Sequence, residues 1–326
     1  MIASVRAAAE SLYAAAWEAR RRCYAAGLAA PTRVGARVVS VGNLTVGGTG
    51  KTTLVLHLAR LAAVQEIPAA VVCRNYRPGP AGDGDEALLL RGQLPTGSLF
   101  AGRNKRMLAQ RAAAAGFPLI LVDDGFSHWG LERDLDIVLL DSRDLWGGAH
   151  LLPAGRLREP RRALQRAQVV VVSRLAPGED PEPYAVEIRR YAPAARFAAG
   201  RHRVTGVRQL DGRPDPYRGR VLMVTGTGNP AAVRASAVET GLDVIELSTY
   251  RDHHWFTVAE ARGELARAVG ADCALVLTAK DAMRWPAAAH DPRVLVLEVE
   301  WAWVRAGETV ESLVLAIPPP PAGVER

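Results

Sequence analysis

The chain has 326 residues and a formal net charge of +7, from 41 Lys and Arg against 34 Asp and Glu, and that length suits two domains at ~150 residues each. Lysine occurs only at Lys51, Lys105 and Lys280, so the surplus is arginine, which suits phosphorylated substrates, anionic lipid surfaces or nucleic acid without choosing among them. Cys23, Cys73 and Cys273 form no C-x-x-C pair, which excludes a disulfide framework or zinc site of that type and suits a reducing, cytosolic compartment; no run reaches the ~18 apolar residues of a membrane span or shows a signal-peptide pattern, so any membrane contact is peripheral.

Residues 4–26 predict a helix with Val5, Leu12, Tyr13, Ala16, Trp17 and Tyr24 near one side and Arg20, Arg21 and Arg22 near its end. A helix packed on the protein's own core is the plainer reading. An interfacial helix is the other, since rings beside guanidinium groups suit the headgroup layer. From residue 37 short β-branched runs alternate with helical patterns: "RVVSV" at 37–41, "AAVVC" at 69–73, "PLILV" at 118–122, "DIVLL" at 136–140 and "QVVVVS" at 168–173. Runs apolar on both faces predict a parallel sheet buried on both sides. A second series lies at 221–226, 243–248, 273–281 and 293–299. The expectation is two α/β domains, 1–203 and 221–326, joined by the Gly-, Pro- and charge-rich segment 204–220, which has the look of a hairpin. "IPPPPAGVER" at the end reads as a loose tail.

"VGNLTVGGTGKTT" at 41–53 follows a predicted strand and opens a predicted helix with Leu54, Val55, Leu58 and Leu61 inward. That is the setting of a phosphate-binding loop, where amides at a helix start face the phosphates and the helix dipole favours their charge. Gly47, Gly48 and Gly50 supply the permissive turns, Lys51 reaches the β- and γ-phosphates, and the Thr52 hydroxyl is placed to ligate Mg²⁺. The phosphate-binding residues expected are therefore Thr45, Gly47, Gly48, Thr49, Gly50, Lys51, Thr52 and Thr53. Thr45 stands where the usual pattern has glycine, and G-G-x-G-K-T-T also fits the loop of partitioning and metal-delivery ATPases. Those carry a lysine where this chain has Val46. No N-K-x-D element is present, so ATP is expected rather than GTP.

Asp123 and Asp124 end a buried strand, where ligands bind in open α/β sheets. They either hold Mg²⁺ or cap a loop. Asp85 and Glu86 lie in a glycine loop just ahead of a helix, where either favours the helix start and Asp85 is equally open to a catalytic role. "RDHHWF" at 251–256 offers an Asp-His pair able to tune a base, although a histidine there is as readily structural. "LLPAGRLREPRRAL" at 151–164 reads either as a solvated basic helix start or as an anion site for an acceptor phosphate, with Arg156 and Arg158 as its guanidinium forks.

Taken in order, "SVGNLTVGGTGKTT", "GDE", "DDGFSH", "RDLDIVLLD", "LLPAGRLREP", "DHHWF" and a late "KD" resemble tetraacyldisaccharide 4'-kinases, the LpxK family of lipid A biosynthesis. The resemblance covers most of the chain. It implies a P-loop NTPase-like parallel-sheet lobe, a second, smaller α/β lobe and a strand linker. It also implies transfer of the ATP γ-phosphate to the 4'-hydroxyl of an acylated disaccharide 1-phosphate, with ATP and Mg²⁺ required. The setting implied is peripheral, on the cytoplasmic side of the inner membrane, with the first helix on its anionic surface and no nucleic acid partner. By motif position the resemblance makes Asp85 the base and His253 its support. Thr52, Asp123, Asp124 and Glu159 fall in the magnesium region, and Asn43, Arg74, Tyr76, His128, Arg156 and Arg158 in the substrate region.

Three positions depart from the family's common pattern: Asn75 for a glycine, Ser127 for a glutamine and Ala279 for a glutamate. They keep open a degenerate relative that binds lipid without turnover. Val46 argues against the other alternative, a P-loop ATPase switch of the partitioning type.

Overall fold

The structure is a computed structural model that describes residues 2–76, 78, 79 and 82–317, with side chains placed from residue 5 on. The expected proline-rich tail lies, from residue 318, outside the described residues. The chain divides into two compact units. One holds the residues up to Arg74, Leu94–Arg201 and Trp303 onward; the other holds Asn75–Gln93 and His202–Ala302. The loop carrying Asp85 thus groups with the second series of strands rather than with the first domain of the sequence reading. Its company there is set by contacts that no local pattern encodes.

In the first unit helix α1 (Ile2–Ala25) precedes β1 (Arg37–Asn43), α2 (Lys51–Val64) and β2 (Ala69–Arg74). The second unit then contributes α3 (Asp85–Arg91). The first resumes with β3 (Leu99–Gly102), α4 (Lys105–Ala114), β4 (Leu119–Asp123), β5 (Leu135–Asp141), β6 (Val169–Ser173) and α5 (Glu182–Arg189). Strand β7 (Arg196–Gln209) begins in it and runs on in sequence into the second unit. The order β3-β2-β4-β1-β5-β6-β7 is parallel throughout. Val38, Val39, Val41, Ile120, Leu121, Ile137, Leu139 and Val171 are all 1% exposed or less. This is the buried-on-both-faces sheet that unbroken β-branched runs predict.

The second unit continues through β8 (Pro214–Asp215), β9 (Arg220–Thr225), α6 (Pro230–Glu239), β10 (Asp243–Thr249), α7 (Val258–Gly270), β11 (Ala274–Thr278), α8 (Ala279–Ala282) and β12 (Val294–Arg305). Its parallel order is β10-β9-β11-β12, and β8 folds back antiparallel on β7 around Gly212, so the segment read as a connection holds a short hairpin. Strand β12 returns the chain to the first unit, where α9 (Gly307–Leu315) lies against α2. His57 of α2 meets Glu311 at 2.7 Å, and Trp303 Nε1 donates to the same carboxylate oxygen at 2.7 Å.

Helix α1 satisfies part of each sequence reading. Trp17 is 8% exposed and packs with Leu44, Phe126 and Leu157. Tyr13 donates to the Arg158 carbonyl at 2.8 Å. Val5 and Leu12 stay 64% and 74% exposed, so the helix seats one apolar edge on the protein and leaves another uncovered. No helix among the described residues is long and apolar enough to cross a membrane.

Candidate active site

The phosphate loop follows directly from the sheet. Strand β1 lies beside β4 with Val41 opposite Asp123. The chain that leaves β1 therefore turns back into α2 next to the carboxylates that end β4. The turn needs glycine at Gly50, whose φ of 88° is left-handed just ahead of α2. The loop is strapped from one side by residues 156–158: Val46 N donates to the Arg156 carbonyl at 2.8 Å and Arg158 N to the Leu44 carbonyl at 2.7 Å. From the other side Ser173 Oγ donates to the Thr49 carbonyl at 2.8 Å and Arg174 to the Gly48 carbonyl at 2.6 Å.

Within this frame the Thr52 hydroxyl donates to Asp123 Oδ2 at 3.0 Å. Lys51 Nζ stands 3.7 Å from Asp124 Oδ1, and Thr53 follows in the first turn of α2. Arg158 grips Asp124 with both arms, at 2.9 and 2.8 Å, and also donates to Asn43 Oδ1. Asn43 Nδ2 donates to the Gly47 carbonyl at 3.4 Å. Burial works to raise the Asp124 carboxyl, but Lys51, Arg158 and Lys105 together hold it far below the usual carboxylate range.

Lys105 is a member of this group that the sequence reading passed over. It is buried, and its ammonium donates to the carbonyls of Asp123 and Asp124 at 2.6 Å each. Burial lowers its proton affinity, against the pull of the two aspartates. The scarcity of lysine was the available signal: two of the three lysines, Lys51 and Lys105, stand at this loop.

Glu159, 2% exposed, accepts through Oε2 from Trp17 Nε1 at 3.0 Å and from Arg166 at 2.8 Å, while its buried Oε1 has no hydrogen-bond partner among the described residues. Arg156 pairs with Asp144 at 2.6 Å. Arg74 ends β2, exposed. His128 is half-buried, and burial with the cations Lys105, Arg133, Arg20 and Arg106 brings its pKa down to about 4.

The oxygen donors fit a hard cation. A threonine hydroxyl beside a carboxylate suits Mg²⁺, which takes one or two carboxylates and leaves its other positions to water and substrate phosphate. No group of three or more His, Cys, Asp or Glu that could hold a metal occurs among the described residues, in keeping with so sparse a set. The Thr49 hydroxyl, 3% exposed, has no hydrogen-bond partner.

In the second unit Asp85 opens α3 and is 4% exposed. Both its oxygens accept from His253 Nδ1, at 3.1 and 3.0 Å. A carboxylate only accepts, so this contact places a proton on Nδ1, while Nε2 lies 3.8 Å from Asp252. Gly84 brings the chain to this point: a side chain there would sit 2.1 Å from the Tyr76 carbonyl. The Tyr76 ring meets the His253 ring edge-on at 5.6 Å.

Arg284, buried, lies 3.5 Å from Asp85 and donates to Asp281 at 2.6 Å, while Asp281 also accepts from Gly226 N at 2.9 Å and Thr278 Oγ1 at 2.6 Å. The late "KD" is thus Lys280, ion-paired to Glu86 at 2.5 Å, and the buried Asp281. Burial works to raise Asp85, but His253, Lys280 and Arg284 bring it below the usual range; His253 is raised chiefly by its hydrogen bond to Asp85. His254 does separate work, donating from Nε2 at 3.0 Å to Glu260 of the Thr257 capping box.

Two of the departures have visible consequences. Asn75 donates to the Gly82 carbonyl at 2.9 Å and accepts from Gly84 N at 2.7 Å, so it ties the loop that presents Asp85. Ser127 leaves its buried hydroxyl without a hydrogen-bond partner among the described residues.

With this geometry in view, the comparisons with known proteins bear on it directly. Residues 3–317 match the family described as tetraacyldisaccharide-1-P 4'-kinase, LpxK. The tetraacyldisaccharide 4'-kinase of Anaeromyxobacter sp. (strain Fw109-5) is 35% identical over 321 residues, spanning 91% of this chain and 86% of that protein. The enzyme of the same name from Geobacter sulfurreducens is 32% identical, spanning 90% and 87%. Among solved structures, LpxK from Aquifex aeolicus in complex with ATP superposes with a TM-score of 0.74 over 97% of this chain and 99% of that one, at 24% identity, a likeness of fold. The chain belongs to the tetraacyldisaccharide-1-P 4'-kinase family.

Proposed function

We propose that this protein transfers the γ-phosphate of ATP to the 4'-hydroxyl of a tetraacylated disaccharide 1-phosphate. The observation that carries the reading is the buried Asp85 carboxylate held by His253 Nδ1 in a chain that also builds a Gly-Lys-Thr loop against Asp123. A polarised carboxylate is the group needed to take a sugar hydroxyl proton, and the loop is the group needed to hold a triphosphate.

In this mechanism the amides of residues 47–52 and the ammonium of Lys51 cradle the β- and γ-phosphates, and they neutralise charge as the γ-phosphoryl moves in line. The residues that would hold Mg²⁺ are Thr52 and Asp123, with Asp124 beside them, and bound there it would supply positive charge against the triphosphate. Arg158 and Lys105 fix the Asp123–Asp124 corner. Asp85 accepts the hydroxyl proton, and His253 orients it and shares the charge. We assign Asn43, Arg74, His128, Arg156 and Glu159 to the substrate and metal surroundings in the first unit, and Tyr76 to those of His253 in the second.

The first domain carries nucleotide handling, the second the base. Because the acceptor is acylated, we place the protein at the periphery of the inner membrane, on its cytoplasmic side, with the uncovered edge of α1 towards an anionic surface. The test is transfer of radiolabel from γ-labelled ATP to the acceptor, with the 4'-phosphorylated lipid identified as product. Absence of labelled lipid with ATP binding intact would refute the kinase reading in favour of a relative without turnover.

A further inference from the structure

A cavity of about 360 Å³ opens in the first unit, lined by Arg20 and Tyr24 of α1, Arg103, Asn104 and Arg106 around the start of α4, and His128 and Gly130 beyond β4. It lies at the lower end of the ~300–1,000 Å³ usual for ligand cavities. Its walls come from three separate stretches of the chain, so the arginines converge by folding rather than by being neighbours in sequence.

Arg103 and Arg106 make no ion pair or hydrogen bond among the described residues, and both are exposed. Arg20 lies over the rings of Tyr24 and Trp129, at 6.0 and 5.6 Å, and has no carboxylate partner among the described residues. The two arginines that the sequence marked as an anion site are placed differently: Arg156 pairs with Asp144, and Arg158 with Asp124. Three guanidinium groups without a carboxylate partner among the described residues, around a cavity that no carboxylate lines, make a positive hole, and planar donor forks match the oxygens of a phosphate. His128, driven neutral by this company and by burial, keeps one N–H to donate and adds no charge of its own. Lys105 stands between Arg103 and Arg106 in sequence and donates to the carbonyls of Asp123 and Asp124. The cavity is therefore built onto the same short stretch that supports the phosphate loop.

We infer that this cavity takes a phosphate monoester on a sugar, the 1-phosphate of the acceptor, and so sets acceptor specificity. The inference rests on the kinase reading for its substrate, yet the binding it claims is measurable without turnover. The experiment uses the full chain and the double variant Arg103→Gln/Arg106→Gln. Calorimetry with glucosamine 1-phosphate and with glucosamine is expected to show wild-type preference for the phosphorylated sugar, lost by roughly tenfold or more in the double variant as charged hydrogen bonds disappear. In the transfer assay KM for the 1-phosphorylated acceptor is expected to rise towards that of the 1-dephosphorylated acceptor, with KM for ATP and the melting temperature unchanged.

Sedimentation with vesicles of phosphatidylcholine, with and without phosphatidylglycerol, separates the other source of phosphate. If the variant lost only its phosphatidylglycerol-dependent sedimentation and kept its sugar-phosphate preference, the cavity would be a headgroup contact and the inference would fail. It fails equally if neither property changes. Binding of glucosamine 1-phosphate that depends on Arg103 and Arg106, in a protein that transfers no phosphate, would sink the kinase reading and leave the site standing.

Discussion

Replacing Asp85 with asparagine keeps the shape of the side chain and removes its capacity to accept a proton. General-base catalysis is worth ~10²–10⁴-fold, about 3–5 kcal/mol of barrier at ~1.36 kcal/mol per tenfold. The expected result for Asp85→Asn is a fall in kcat of that size with little change in KM for ATP. His253 contributes one charge-assisted hydrogen bond, with Nδ1 at 3.1 and 3.0 Å from the two oxygens. Such a bond is worth ~1.5–3 kcal/mol, so removing it lowers kcat by roughly 10- to 150-fold.

The informative variant is His253→Asn, because His253 sits at φ 62°, a left-handed conformation that asparagine accepts more readily than most residues. It keeps a donor near the Nδ1 position and cannot titrate. Asp85 raises the proton affinity of His253, so the wild-type acid limb of kcat/KM is expected above the ordinary imidazole value of ~6.5. In His253→Asn that limb should vanish and leave one at lower pH set by Asp85, whose own value is depressed. Steady-state kinetics from pH 4 to 9 reads both. Near wild-type kcat in Asp85→Asn, or an unchanged acid limb in His253→Asn, would refute the base assignment.

Other positions give simpler outcomes. Lys51→Met is expected to lower kcat by ~10²–10³-fold, the scale of one lost transition-state charge contact, with the far-UV spectrum unchanged. Lys105→Met leaves two carbonyls without their donor, at ~1–3 kcal/mol for each buried group left unsatisfied, and should lower the melting temperature and weaken ATP binding together. Arg284→Met strips the cation from Asp281, which is fully buried; breaking such a pair costs ~3–5 kcal/mol, read as a lower denaturant midpoint. Asp124 is held below its ordinary value, so its share of stability is present above the unfolded value of ~3.9 and lost as pH falls below it. Arg158→Gln removes one of the groups that depress it, and melting temperature should then depend less steeply on pH in the acid range.

The sequence carried the sheet well because its strands are unbroken apolar runs, and β1, β2, β4, β5 and β6 fall within a residue or two of the expected segments. It carried β7 poorly, and of β12 it gave the start at 293–299 but not the continuation to Arg305. Residues such as Arg196, Arg201 and Arg203 give β7 no apolar continuity, and the start of that run is a strand through its pairing with β6. Site residues contiguous with a motif, such as Lys51, Thr52, Asp123 and Asp124, were legible. Lys105 and Arg284 were not, because each acts through a contact made across the fold: Lys105 with the end of β4, and Arg284 with Gly226, Asp281 and Asp85. Glu159 shows a contact that no local reading gives. Motif position places it in the metal region, and only across the fold does one of its carboxylate oxygens meet Trp17 and Arg166.

Thr45 shows why a glycine is absent from the phosphate loop where the common pattern requires one. The left-handed turns fall at Gly47 and Gly50, with φ of 112° and 88°, and Thr45 is not among the positive-φ residues. It forms an antiparallel bridge with Leu157 instead, and an extended backbone takes a β-branched residue without strain. The threonine methyl in turn leaves no room across from it: a side chain at Gly147 would come within 2.8 Å of Thr45 Cγ2. The loop and the "LLPAGRLREP" segment are therefore one structural unit. The strap that replaces the first glycine turn also delivers Arg158 to Asp124 and Asn43. Two motifs more than 100 residues apart in sequence depend on each other, because the second supplies the backbone partner that lets the first do without its glycine.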